Sequence, residues 1–187
     1  MTPEELKIRK KLFKIQDQDF NFLPSLTKGL LAYDDKKTDD GRAAIFAFVE
    51  NVFSYYEEIE FFEEEFFPYL QKIETVRDFA VSLMDESLAR GFFPRRVGQV
   101  VDLFGEENFE ALTKLDRLIP DDCDQTADAT NEAIEYFSGM IRNKVGMDVM
   151  NDKTPQAKVL CALNRITDPV FLCQNMKKAV GHKLDNS

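Results

Sequence analysis

The chain has 187 residues, 44% hydrophobic and 12% aromatic, with 17 phenylalanines and no tryptophan. That length suits one domain or two small ones in close contact, and that composition can bury a core, as a disordered chain poorer in aromatics cannot. The formal net charge of −10 argues against direct nucleic-acid binding and against anionic membranes, because phosphate contact calls for a basic stripe.

The punctuation along the chain is helical. Thr2-Pro3-Glu4-Glu5 is a start signal in which threonine caps, proline suits the first turn and Glu5 completes a capping box. This helix is expected to run to about Gln16, and a short second one from Pro24 to Tyr33. The polar run Asp34–Asp40 reads as a loop ending in a cap at Asp39 or Asp40. In the longest segment, Arg42 to Phe67, residues Ile45, Phe48, Val52, Tyr55, Ile59, Phe62 and Phe66 recur at steps of three and four, a helical stripe that belongs in a core. Pro68 stops or kinks it, since proline lacks the backbone donor and disfavours α geometry at Phe67. A fourth helix is expected from Tyr69 to Arg90, stopped by Gly91, followed by a short one from Pro94 to Gly105 and another from Glu106 to Leu118. Beyond the acidic stretch Pro120–Asp124, helices are expected over Thr126–Val145, closed by Gly146, then from Thr154-Pro155 to about Ile166, and from Asp168-Pro169 to near Gly181.

No strand-like alternation, hairpin dipeptide or fixed-period repeat interrupts this pattern. The expected fold class is all-α, an irregular bundle of roughly eight or nine helices. The acidic stretch suggests a helical bundle at 1–119 with a C-terminal helical part at 120–187 packed on it, or else one domain over 1–187.

Histidine is the commonest general base and a favoured zinc ligand, and the sequence has one, His182, read as an exposed tail residue. Triad chemistry and histidine-type zinc sites are therefore not expected, nor is nucleotide binding through a Gly-rich phosphate loop, whose patterns are missing. Asp17, Asp19 and Asn21 imitate the start of a calcium loop, but Phe22 and Lys28 stand where glycine and glutamate are needed. Asp121, Asp122, Asp124 and Asp128 resemble a magnesium-binding aspartate motif, but Gln125 breaks it, and a loop leading into a helix cap explains them. No cofactor and no metal are expected. Arg95 and Arg96 follow Pro94 at an expected helix start, where guanidinium groups and free N–H groups can hold an anion; pairing with the acidic excess is the plainer reading. Lys7, Lys10, Lys11 and Lys14 line one side of the first helix, a face that suits a membrane surface or, more commonly, the outside of a bundle.

Cys123, Cys161 and Cys173 form an odd set without CxxC spacing, which fits reduced thiols inside a cell. The first helix is strongly charged and no run of about eighteen apolar residues occurs, so neither a signal peptide nor a membrane span is expected, and the address read is cytoplasmic and soluble.

Residues 151–164, NDKTPQAKVLCALN, carry Lys153, Thr154, Pro155, Lys158, Cys161, Leu163 and Asn164 in a run that resembles part of the helical exchange domain of Rabex- and Rin-type activators of Rab GTPases. The resemblance covers under a tenth of the chain. It implies a regulator of a small GTPase, although the family's aspartate-bearing and tyrosine-bearing segments follow this point and are not found before Ser187.

Between 38 and 70 one arginine faces nine acids, a net of −8. Within that segment, IEFFEEEFFPYL at 59–70 puts Phe62 and Phe66 on the core stripe. Phe61 lies about 100° from Phe62 around a helix, off the stripe, and Phe67 is off it too. Phe61 and Phe67, with Glu57, Glu58, Glu60, Glu63, Glu64 and Glu65, form the candidate interface. The function expected is a non-enzymatic protein–protein interaction module (an adaptor, regulatory subunit or inhibitor) whose partner has a basic surface. The alternatives are the GTPase regulator, a helical carrier of an apolar ligand, or a carboxylate- and magnesium-dependent enzyme.

Overall fold

The computed structural model describes residues 1–33, 38–123, 127–145 and 153–186. Among these the regular structure is helical throughout, as the sequence pattern predicts. The helices are α1 (Pro3–Gln18), α2 (Phe22–Ala32), α3 (Asp39–Tyr55), a three-residue α4 (Ile59–Phe61), a π turn (Phe62–Phe66), α5 (Phe67–Lys72), α6 (Val76–Glu107), α7 (Phe109–Leu118), α8 (Ala127–Val145), α9 (Pro155–Arg165) and α10 (Pro169–Asp185). The expected stop at Gly146 lies outside the described residues.

Local capping chemistry sets several of the starts. Thr2 Oγ1 accepts from the Glu5 N–H at 3.1 Å, Thr154 Oγ1 from Ala157 at 3.2 Å and Asp168 Oδ1 from Val170 at 3.0 Å. Each satisfies a backbone donor that the first turn leaves open. At α3 the cap is Thr38, one residue before the expected aspartates, and its hydroxyl accepts from Gly41 at 3.1 Å. Helix α10 does not stop at Gly181 but continues to Asp185.

The largest departure is α6, which runs through both Gly91 and Pro94. An interior proline removes the bond to the carbonyl four residues back and costs about 3 kcal/mol. Ala89, Phe93, Val97, Val100, Val101 and Phe104 form one fully buried face of the same helix. At roughly 1.5–3 kcal/mol for each large side chain, that burial outweighs the proline.

The chain divides into two compact units, Met1–Ser87 and Leu88–Ser187. The boundary expected at 119/120 falls inside the second unit, where Lys177 Nζ donates to the Pro120 carbonyl at 3.4 Å and to the Asp121 carbonyl at 2.7 Å. In that unit the inner face of α6 shares a core with Leu112 and Leu115 of α7, Phe137 and Ile141 of α8, Val159 and Leu160 of α9, and Met176 and Val180 of α10. Cys173 is fully buried there; burial, and then its hydrogen bond with Cys123, push its thiol up to about 12. It stays protonated and unreactive at neutral pH.

The first unit has an aromatic core. Phe53 of α3 sits with its ring centroid 5.7 Å from Phe22, 5.6 Å from Phe61, 5.6 Å from Phe62 and 5.1 Å from Phe66. Helix α2 meets α3 closely because Gly29 has no Cβ and the Phe48 ring fills that space. The same unit buries Arg9 of α1. Its guanidinium donates to Glu86 Oε1 at 3.3 Å, Glu5 Oε1 at 3.1 Å and Ser82 Oγ at 2.6 Å, and it lies 5.4 Å over the Phe79 ring.

Candidate functional site

The expected 26-residue helix over 42–67 is broken in the middle. Helix α3 ends at Tyr55, and Glu57 adopts φ 59°. The Glu58 N–H donates to the Phe53 carbonyl at 3.3 Å and the Glu57 N–H to the Ser54 carbonyl at 3.4 Å. This pair of bonds is a Schellman termination, with glutamate in the left-handed position where glycine is the usual occupant. The strain of that position costs roughly 1–2 kcal/mol for a residue with a Cβ.

The chain then re-enters a helix with its phase shifted. Phe61 turns inward and is 3% exposed, packed edge to face with Phe53. The π turn follows, in which the Phe67 N–H reaches the Phe62 carbonyl. Pro68 is the second residue of α5 and does not end the helical path, which passes into α5 directly from the π turn. Phe67 is half-buried, its ring 4.1 Å from Phe46 and 5.6 Å from Phe62. The two aromatic anchors expected at the surface are therefore core and core-edge residues. Two members of the expected core stripe take the opposite place, with Tyr55 79% and Ile59 50% exposed.

The turn that presents Tyr55 is rigidly held. Tyr56 packs edge-on against Phe22, centroid to centroid 4.8 Å. Its phenol is held above the usual tyrosine range by burial and by its hydrogen bond to the Asp19 carboxylate. Asp19 itself accepts from the Asn21 N–H at 2.9 Å, so this aspartate shapes the α1–α2 turn and does not begin a calcium loop. That neighbouring turn carries Phe20, 81% exposed. The Tyr55 ring stands perpendicular to Tyr56, 5.0 Å away at 81°.

The six glutamates divide. Glu65 is half-buried and held by Lys7 Nζ at 2.7 Å and Lys11 Nζ at 3.5 Å; the Lys7 hydrogen bond pulls its carboxyl below the usual range. This ties the basic side of α1 to its own unit, and Lys11 also lies 5.2 Å over the Phe61 ring. No ion pair among the described residues holds Glu57, Glu58, Glu60, Glu63 or Glu64. Beside them Lys11, Lys14, Ile15, Gln18 and Glu58 line a cleft of about 80 Å³. Small-molecule sites usually hold roughly 300 Å³ or more.

The other expected positions carry less. Arg95 and Arg96 lie in the middle of α6, not at a helix start, so the free N–H groups of the expected anion site are engaged in the helix; Arg96 donates to Gln99 Oε1 at 3.0 Å. Asp121 pairs with Lys177 at 3.2 Å, and Asp124 lies outside the described residues. Among the described residues no group of three or more His, Cys, Asp or Glu side chains can hold a metal ion. His182 is exposed but within α10. The run from Lys153 to Asn164 is a capped helix whose Val159, Leu160, Ala162 and Leu163 are buried, and Asn164 donates back to the Leu160 carbonyl at 3.1 Å.

Glu57→Gly is expected to stabilise the protein by about 1 kcal/mol, since glycine relieves the left-handed strain and keeps both Schellman bonds. Chemical denaturation of the two forms checks this. A lower midpoint for the glycine variant would show that the Glu57 side chain contributes more than its backbone costs.

Among the described residues no helix is long and apolar enough to cross a membrane. No family model matches the chain, and no curated protein and no solved structure matches it either.

Proposed function

We propose that the chain is a non-enzymatic, intracellular protein–protein interaction module, an adaptor, regulatory subunit or inhibitor, that meets a basic surface with the acidic end of its first unit. The observation that carries this reading is the exposure of Tyr55 and Ile59 beside Glu57, Glu58, Glu60, Glu63 and Glu64, carboxylates with no ion pair among the described residues. Tyrosine is among the residues that most often anchor interfaces, because a large amphipathic ring loses little conformational freedom on contact. Unpaired carboxylates around such an anchor speed encounter with a basic partner and exclude acidic ones. The free thiols Cys123, Cys161 and Cys173 support the intracellular assignment.

The test is a comparative capture from native cell extract. Wild-type protein is expected to retain partners that a Tyr55→Ser/Ile59→Ser variant loses, and to lose them as salt is raised, because exposed charge contacts are screened within about 8–10 Å at physiological ionic strength. Identical capture by both forms at all salt concentrations would overturn the proposal.

A further inference from the structure

Resting on that reading, we propose that the turn from Tyr55 to Ile59 recognises arginine: the partner segment stacks a guanidinium on the open face of Tyr55, sets it against Glu57 and Glu58, and lays an adjacent aliphatic side chain on Ile59. The geometry supplies an aromatic platform backed by a second ring. The Tyr55 ring stands perpendicular to Tyr56, which packs against Phe22 and is hydrogen-bonded to Asp19. The rest of the Tyr55 ring is in solvent, 79% exposed. Glu57 and Glu58 follow it two and three positions later, with no ion pair to any described residue.

An exposed aromatic face next to free carboxylates distinguishes arginine from lysine. A guanidinium is planar, weakly hydrated and able to stack on a ring while its edge donates to carboxylates; an ammonium is a strongly hydrated point charge that does the second but not the first. The same charge decides against two other occupants. A second copy would bring the net −8 of residues 38–70 against itself, and an anionic lipid surface would be repelled.

The experiment measures binding of a short labelled peptide of arginine, leucine and alanine to the full chain by fluorescence anisotropy, against the same peptide with lysine in every arginine position. The arginine peptide is expected to bind about three-fold tighter or more, on the order of one exposed cation–π contact. Tyr55→Leu, which keeps an apolar side chain, should abolish that preference without moving the melting temperature. Glu57→Gln should weaken both peptides alike. Equal binding of the two peptides, absence of binding by both, or a preference that survives Tyr55→Leu overturns the assignment. If the preference is absent while extract partners are still lost from the Tyr55→Ser/Ile59→Ser variant, the arginine assignment falls and the interaction reading stands. If capture is also unchanged, both fall.

Discussion

Arg9→Ala is expected to destabilise the first unit by roughly 3–5 kcal/mol, the usual cost of removing one partner from a buried ion pair. Arg9 is 2% exposed and Glu86 is not exposed at all. Taking two such charges out of water costs several kcal/mol each, and their mutual attraction offsets this only because the remaining donors are also engaged, by Glu5 and Ser82, with the Phe79 ring beneath the guanidinium. Alanine at position 9 would leave the Glu86 carboxylate buried without that partner. The double variant Arg9→Met/Glu86→Leu removes both charges and refills the space. It is expected to recover most of the loss, because an apolar replacement of a buried pair is often neutral or stabilising. Urea denaturation of the wild type, Arg9→Met, Glu86→Leu and the double variant forms a complete cycle. Independent losses that simply add would show that the two residues do not act as a pair.

That network illustrates what the sequence withholds. Arg9 stands among Lys7, Lys10 and Lys11 on a charged helix, and nothing local separates the one buried cation from its solvated neighbours. The partner is 77 positions away. By contrast the starts of α1, α9 and α10 are legible, because Thr2, Thr154 and Asp168 act on N–H groups two or three residues downstream, a relation written entirely in local order. The course of α6 through Gly91 and Pro94 is not, because local propensity ends the helix there and only the burial of Phe93, Val97 and their neighbours carries it onward.

The candidate surface divides in the same way. Its glutamates could be placed from composition, since a dense acidic run cannot be buried without partners. The aromatic side chains could not. The periodic stripe holds its phase only while the helix continues, and it crosses Glu57, where the chain turns left-handed at a residue that is neither glycine nor asparagine. Past that point a helical period no longer reports on the same face. Ile59 therefore emerges into solvent and Phe61 moves into the core, whereas Tyr55 is exposed already because the buried line of α3 runs through Ile45, Val49 and Phe53 and not along the expected stripe.

This exchange of places has a direct energetic consequence. Phe53→Ala is expected to cost roughly 3–5 kcal/mol, the range for removing a fully buried phenylalanine. Its ring is the common neighbour of Phe22, Phe61, Phe62 and Phe66, so the cavity opens where four other rings meet and none of them can collapse into it without breaking its own contacts. Phe61→Ala should fall near the lower end of the same range, about 3 kcal/mol, whereas Tyr55→Ala should stay within about 0.5 kcal/mol of the wild type, as exposed substitutions do. The core stripe expected over 42–67 requires the opposite ordering, with Tyr55 costly and Phe61 nearly free. Thermal or urea denaturation of these three variants distinguishes the two arrangements. The observed arrangement leaves an exposed tyrosine whose removal tests the proposed binding without weakening the fold that presents it.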